Sequence, residues 1–211
     1  MSELENHAAE ARSGRCAIVG RPNVGKSTLL NAILGQKLVI ATPRPGTTRS
    51  CVLGVYAADD PPTQVAFVDT PGLERPKGAL GQVLIDSAKQ GMLDCDSVVF
   101  VTEVPKPSAP AEVHDKDLAV LDALEASNAP VLLVINKVDK LKAKERLFAF
   151  IEAYQRKREF AAVVPISATR GTNLEALISE IRATLPEGLM YDPEFLTDRP
   201  ERFFVSELVR E

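Results

Sequence analysis

Gly20-Arg21-Pro22-Asn23-Val24-Gly25-Lys26-Ser27 has the spacing G-x-x-x-x-G-K-[ST], the pattern of a loop that wraps phosphate. On its N-terminal side, Cys16-Ala17-Ile18-Val19 is a short apolar run that predicts a buried parallel strand. On the other side Leu29, Leu30, Ile33 and Leu34 recur at helical spacing until Gly35, which predicts a helix closed by that glycine. Strand, glycine loop and helix in this order are the setting the motif requires. The glycines let successive backbone N–H groups turn inward on the phosphates, and the helix N-terminus adds partial positive charge. Lys26 then reaches the β and γ phosphates and Ser27 meets a magnesium ion, so all eight residues, with Thr28 after them, are candidate nucleotide-binding residues.

The rest of the composition sets limits around that loop. A chain of 211 residues with 45% hydrophobic content has enough apolar material for one full core. The net charge of −4 does not announce a nucleic-acid binder, so any such contact would be local. Cys16, Cys51 and Cys95 show no metal-ligand spacing, and His7 and His114 stand alone, which argues against zinc or a disulfide frame and for a reducing compartment. Met1 to Arg15 is acidic and alanine-rich without an apolar core, unlike a signal peptide, and no run approaches the roughly 18 apolar residues of a membrane span. A cytoplasmic protein is the expectation.

Along the chain, Ser50–Tyr56 and Thr63–Val68 predict two strands joined as a hairpin through Asp59-Asp60-Pro61-Pro62. Ser97–Val101, Pro130–Ile135 and Ala162–Ile166 predict three further strands. Helices are predicted over Val83–Leu93, Asp115–Ala126 and Lys142–Glu159, and over a last segment capped by Asn173 with Leu174, Leu177, Ile178, Ile181 and Leu185 inward. Glu103–Ala111, with three prolines, reads as a surface loop without assigned function. Strands alternating with helices predict an α/β, doubly wound, mostly parallel sheet of the P-loop nucleotide-hydrolase type, with ligand loops at the carboxyl ends of the strands. The expected organisation is an N-terminal extension over 1–13, a nucleotide-binding domain over 14–187, and a linker-like tail with a short amphipathic helix over 188–211.

Two more strand ends decide which nucleotide. Asn136-Lys137-Val138-Asp139 follows a buried strand and fits N-K-x-D, in which the Asp139 carboxylate accepts from guanine N1–H and the exocyclic amine. Adenine does not offer that pair, and two hydrogen bonds to a charged acceptor discriminate by about a hundredfold or more. Asn136 would tie this loop to the phosphate loop, Lys137 would lay its stem along the base, and the backbone N–H of Ala168, within Ser167-Ala168-Thr169, would donate to guanine O6. Asp69-Thr70-Pro71-Gly72 fits D-x-x-G, placing Asp69 in contact with magnesium through water and the Gly72 N–H on the γ-phosphate. Thr48, with Thr47 as its competitor, lies in a loop where a hydroxyl completes the magnesium shell only with GTP present.

Taken together, Gly20 to Ser27, Pro45-Gly46-Thr47-Thr48-Arg49, Asp69 to Leu73, Asn136 to Asp139 and Ser167-Ala168 resemble the translation-factor-class GTPases of the Era type. The tail sharpens the resemblance: Leu185-Pro186-Glu187-Gly188, Tyr191-Asp192-Pro193 and Thr197 to Phe203 are similar to the connector by which Era proteins enter a KH domain. What the resemblance implies is GTP and GDP as ligands, magnesium, GTP hydrolysis, small-subunit ribosomal RNA as partner, a role in assembly of that subunit, partial residence on the inner membrane face, and a monomer. It runs from residue 15 to residue 211, and the KH domain with its RNA-gripping G-x-x-G loop would follow Glu211, so RNA binding by these residues alone is expected to be weak. Two departures stand out: Val101-Thr102-Glu103-Val104-Pro105 replaces the usual strand-end aspartate and short acidic loop, and Pro45-Gly46 is closer to tandem-domain ribosome-assembly relatives.

Catalysis is expected to rest on Lys26, Thr48, Gly72 and Asn23. Leu73 stands where many GTPases hold a water-orienting glutamine, and this keeps a second reading open, a GTP-dependent binding module with negligible hydrolysis. Arg44 and Arg49 are candidate sources of positive charge. The side-chain carbonyl of Asn23 offers another, because resemblance to cation-activated GTPases with asparagine at this loop position implies a bound potassium ion.

Overall fold

The computed structural model describes residues 11–35, 52–69, 95–105, 110–125, 127–141, 143 and 145–188, with only the backbone of 52, 53 and 69. Six strands, β1 (Arg12–Val19), β2 (Val52–Asp59), β3 (Pro62–Asp69), β4 (Ser97–Glu103), β5 (Val131–Asn136) and β6 (Ala162–Pro165), form one sheet in the order β2-β3-β1-β4-β5-β6. All neighbours are parallel except β2 and β3, the hairpin at one edge, whose register closes on Asp59 opposite Pro62 around Asp60-Pro61. The described helices are α1 (Lys26–Leu34), α2 (Asp115–Leu124), α3 (Glu145–Gln155) and α4 (Leu174–Thr184). None of them is long and apolar enough to cross a membrane.

Alternation along the central strands explains why the sheet is covered on both faces. Cys16, Ile18, Val99, Val101, Leu132 and Val134 face Leu29, Leu30 and Ile33 of α1 and Leu177 and Ile181 of α4. Their neighbours Ala17, Val19, Val98, Phe100, Leu133 and Ile135 face Val120, Leu121 and Leu124 of α2 and Phe150 and Tyr154 of α3. Each buried Leu, Ile or Phe in these two layers contributes about 1.5–3 kcal/mol, so the sheet is held from both sides. Tyr154 sits edge-on to Phe150, with ring centroids 4.9 Å apart. The doubly wound α/β architecture expected from the strand–helix alternation is the one found.

Three expectations need correction. The first strand begins at Arg12, inside the segment read as an extension, because Arg12 to Arg15 pair with Thr63 to Ala66 of β3 and because Ser13 N–H donates to Pro186 O at 3.1 Å. Ser13 and Gly14 carry no apolar signal, and only the neighbouring strand makes them a strand. Helix α3 is shorter than Lys142–Glu159, since after Gln155 the chain turns, with Lys157 N–H donating to Tyr154 O at 2.9 Å. Asn173 does precede α4, but it has a left-handed φ of 60° and no side-chain cap; its Nδ2 donates instead to Pro165 O at 2.8 Å. The helix expected over Val83–Leu93 and the tail beyond Gly188 lie outside the described residues.

Candidate nucleotide-binding site

Parallel register brings the carboxyl ends of β1, β3, β4 and β5 to one rim: Ile18 lies opposite Asp69, Val19 opposite Phe100, and Glu103 opposite Asn136. The loop Gly20 to Gly25 leaves β1 at this rim and feeds α1, with Gly25 at the helix N-cap in a left-handed conformation of φ 100°. A Cβ at Gly20, where φ is 151°, would lie 2.3 Å from the carbonyl oxygen of Val101, and one at Gly25 would lie 2.4 Å from Asn136 Nδ2. The loop is therefore packed against the sheet behind it and against the base loop beside it, and a glycine loop that enters a helix N-terminus in this way is the cradle a phosphate chain needs. Lys26 is buried at 8% exposure, and its Nζ donates to the Gly20 and Arg21 carbonyls at 3.1 and 3.3 Å. Its charge is thus held over the loop.

Asn136 ends β5 and connects three segments. Its Nδ2 donates to Val24 O at 2.8 Å, while its Oδ1 accepts from the N–H of Lys137 at 2.7 Å and of Ala168 at 3.0 Å. The expected tie between base loop and phosphate loop is present. The Ala168 N–H, expected to be kept for guanine O6, is instead engaged by Asn136, so a base oxygen would have to share it. Val138–Lys140 is a single 3₁₀ turn that follows Lys137 in left-handed conformation and presents Asp139 toward the loop from Ser167 to Thr172. Ser167 Oγ donates to Asp139 Oδ1 at 2.6 Å, and that hydrogen bond holds the Asp139 carboxyl below its ordinary range, ionised and aimed. Reciprocal backbone bonds between Ser167 and Thr172, at 3.3 and 3.1 Å, close the loop that carries Ala168 and the exposed Thr169.

Arg21 and Lys137 of the two motif loops meet a group of side chains, Thr102, Glu103, Asp117 and Tyr154, that belongs to no motif. Arg21 Nη1 donates to Glu103 Oε1 at 3.0 Å and Arg21 Nε to Asp117 Oδ2 at 3.2 Å. Thr102 Oγ1 and Tyr154 Oη both donate to that same Asp117 oxygen at 2.7 Å. Lys137 Nζ donates to Asn23 O at 2.7 Å and pairs with Glu103 Oε2. Burial pushes the Glu103 carboxyl up, but the hydrogen bond and charge of Lys137, with Arg21 beside them, outweigh it and leave the group below its ordinary range. Burial and the Asp117 charge push the Tyr154 phenol up, so it acts as a donor. One signal was legible: Asp117 shares the helical spacing of Val120, Leu121 and Leu124, a carboxylate on an apolar face, which calls for a partner.

Thr48, Thr70, Pro71, Gly72 and Leu73 lie outside the described residues, and of Asp69 only its backbone position beside β1 is described. Ser27 stands in the first turn of α1, next to Lys26, where a magnesium ligand is expected.

A sequence profile of the family described as "50S ribosome-binding GTPase" matches residues 15–137. The chain belongs to this family. It is 40% identical over 201 residues to GTPase Era of Clostridioides difficile (strain 630), a match covering 95% of this chain and 65% of that protein. GTPase Era of Clostridium botulinum (strain Alaska E43 / Type E3) is 44% identical over the same shares of both chains. Among solved structures, Era in complex with MgGDPNP and nucleotides 1506–1542 of 16S ribosomal RNA superposes with a TM-score of 0.87 at 38% identity, covering 95% of this chain and 66% of that one. Aquifex aeolicus Era bound to GDP.AlF4⁻ gives a TM-score of 0.83 at 37% identity, over 94% of this chain and 66% of that one. The chain thus spans 65% of the length of the curated relatives it matches. The Era-type resemblance read from the motifs is borne out.

Proposed function

We propose that this chain binds GTP with magnesium, hydrolyses it to GDP and phosphate, and works as a switch in small ribosomal subunit assembly. The observation that carries the nucleotide reading is the Asn136 bridge, which joins phosphate loop, base loop and the Ser167–Ala168 turn by hydrogen bonds, with Asp139 held by Ser167 beside them. In this reading the N–H groups of Gly20 to Ser27 bind the phosphates, Lys26 exchanges its two loop carbonyls for β and γ oxygens, and Asp139 selects guanine. Ser27, with Thr48 and Asp69, would hold magnesium, which supplies charge neutralisation between the β and γ phosphates. Water attacks the γ-phosphorus, the bond from that phosphorus to the β–γ bridging oxygen breaks, and the Gly72 N–H holds the γ oxygens. The Era structures with MgGDPNP and GDP.AlF4⁻ support a guanine nucleotide and magnesium as ligands, and the one with 16S ribosomal RNA supports the ribosomal partner. Residues 1–211 by themselves are proposed to be a weak RNA binder, cytoplasmic with a peripheral membrane fraction, and monomeric.

Leu73 favours the rival reading, a GTP-dependent binding module without useful hydrolysis, because a leucine cannot orient water. Phosphate release well above that of Lys26→Ala is the expected result; release equal to that variant would establish the rival. Retention on ribosome-containing lysate in a GTP-analogue-dependent manner tests the ribosomal part.

Hydrolysis without a glutamine needs another source of help, and Asn23 offers one. It lies at the loop tip with a left-handed φ of 64° and an exposed side chain, while its backbone carbonyl is already committed to Lys137. Its side-chain carbonyl is proposed to hold potassium beside the β-phosphate. GTP turnover should then rise when potassium replaces sodium at constant ionic strength, and Asn23→Ala should remove the rise. Equal turnover in the two salts would exclude the ion.

A further inference from the structure

Glu103 is the last residue of β4, in register with Asn136, and its two carboxylate oxygens are divided between two loops. Oε1 accepts from Arg21, the second residue of the phosphate loop, at 3.0 Å, and Oε2 accepts from Lys137, the second residue of the base loop. The three side chains are 25%, 13% and 27% exposed in the order Glu103, Arg21 and Lys137, so the bridge is largely shielded from solvent. Each cation also has a second partner, Asp117 Oδ2 for Arg21 and Asn23 O for Lys137. Deleting the Glu103 charge would therefore leave neither cation isolated. It would leave the two loops joined through fewer contacts.

We propose that Glu103 is a positioning residue for guanine nucleotide, a two-pronged carboxylate that fixes the Lys137 stem where the base will lie and couples it to Arg21 on the phosphate side. This rests on the GTP-binding reading above. The physical basis is preorganisation. A lysine stem that is already ordered loses less freedom when a base packs on it, and a loop pair held by one carboxylate opens less often to release ligand. Side-chain length matters as well as charge. An aspartate, shorter by one methylene, cannot keep both prongs at hydrogen-bond distance from loops whose separation is set by the sheet and by the Asn136 bridge.

The test is the dissociation rate of a fluorescent GDP analogue, and of its GTP counterpart, from the full chain. Glu103→Gln is isosteric, and its melting temperature checks that it folds. It should raise both off-rates about tenfold, as expected for loss of a charge-assisted contact, with Glu103→Asp between the two. In a Lys137→Met background Glu103→Gln should add less than about twofold, because the residue acts through that lysine. An off-rate for Glu103→Gln within about twofold of the native chain overturns the proposal, and so does a full effect that persists in the Lys137→Met background. A native chain that holds no guanine nucleotide in the same assay overturns the GTP reading and this proposal with it, whereas native binding with Glu103→Gln unaffected overturns this proposal alone.

Discussion

Asp139→Asn is expected to lower GTP affinity about a hundredfold or more and to raise affinity for xanthosine triphosphate correspondingly. The native carboxylate accepts from two guanine donors. An amide accepts through its oxygen only, but its NH₂ donates to the C2 carbonyl that xanthine carries in place of the amine. The geometry adds a reason for a clean exchange. Ser167 Oγ, 2.6 Å from Asp139 Oδ1, can donate to an amide oxygen as well as to a carboxylate, so the side chain keeps its orientation while its hydrogen-bonding face changes. Competition of both triphosphates against a fluorescent guanine nucleotide reads the outcome. Equal binding of ATP and GTP by the native chain would sink the guanine assignment, and an Asp139→Asn chain that still prefers GTP would move the reading of the base to another group.

The second large effect belongs to Gly20→Ala. The added methyl would stand 2.3 Å from Val101 O, a backbone atom of the central strand β4, at a φ of 151° that side chains rarely adopt. Neither the β4 carbonyl nor the loop can move without disturbing β1 or the phosphate cradle. Strain and overpacking of this kind cost about 3 kcal/mol or more, and for a domain of this size that corresponds to a loss of about 10 °C in melting temperature. Nucleotide binding should fall with it. Gly35→Ala is the comparison: Gly35 also has positive φ, 68°, but among the described residues nothing lies within 4 Å of its Cβ position, so the left-handed penalty of about 1–2 kcal/mol is the expected cost. Melting of the two alanine variants at the same temperature would show that the contact with Val101 is relieved cheaply and that Gly20 is not needed for close approach.

The loop from Gly20 to Ser27 and the strand and helix around it are legible in the sequence because their signals are local. Consecutive apolar residues, a glycine spacing and a helical repeat all lie within about twenty residues, and the conformation they require is set by neighbours in the chain. The same holds for Asn136 to Asp139 after its strand and for the hairpin around Asp60-Pro61, so the doubly wound class follows from the amino-acid sequence by itself, and so does the motif on which the proposed guanine selection rests. Even the Asn136 tie to the phosphate loop is foreseeable, since an amide at a strand end beside a glycine loop has few other uses.

What sequence alone does not determine depends on contacts between distant residues. Arg12 to Arg15 become a strand only because β3 lies alongside, and the Ala168 N–H is spent on an amide 32 residues earlier in the chain. Arg21 meets Glu103 and Asp117 across 82 and 96 residues, the first at the edge of a segment whose prolines suggest an idle surface loop, the second on a helix where a buried carboxylate belongs to no motif. No periodicity encodes such meetings. They arise when parallel register brings the ends of β1, β4 and β5 to one rim, where charges that are unremarked along the chain become each other's nearest neighbours in a poorly solvated space, and there the pairing of Glu103 with both cations is decided.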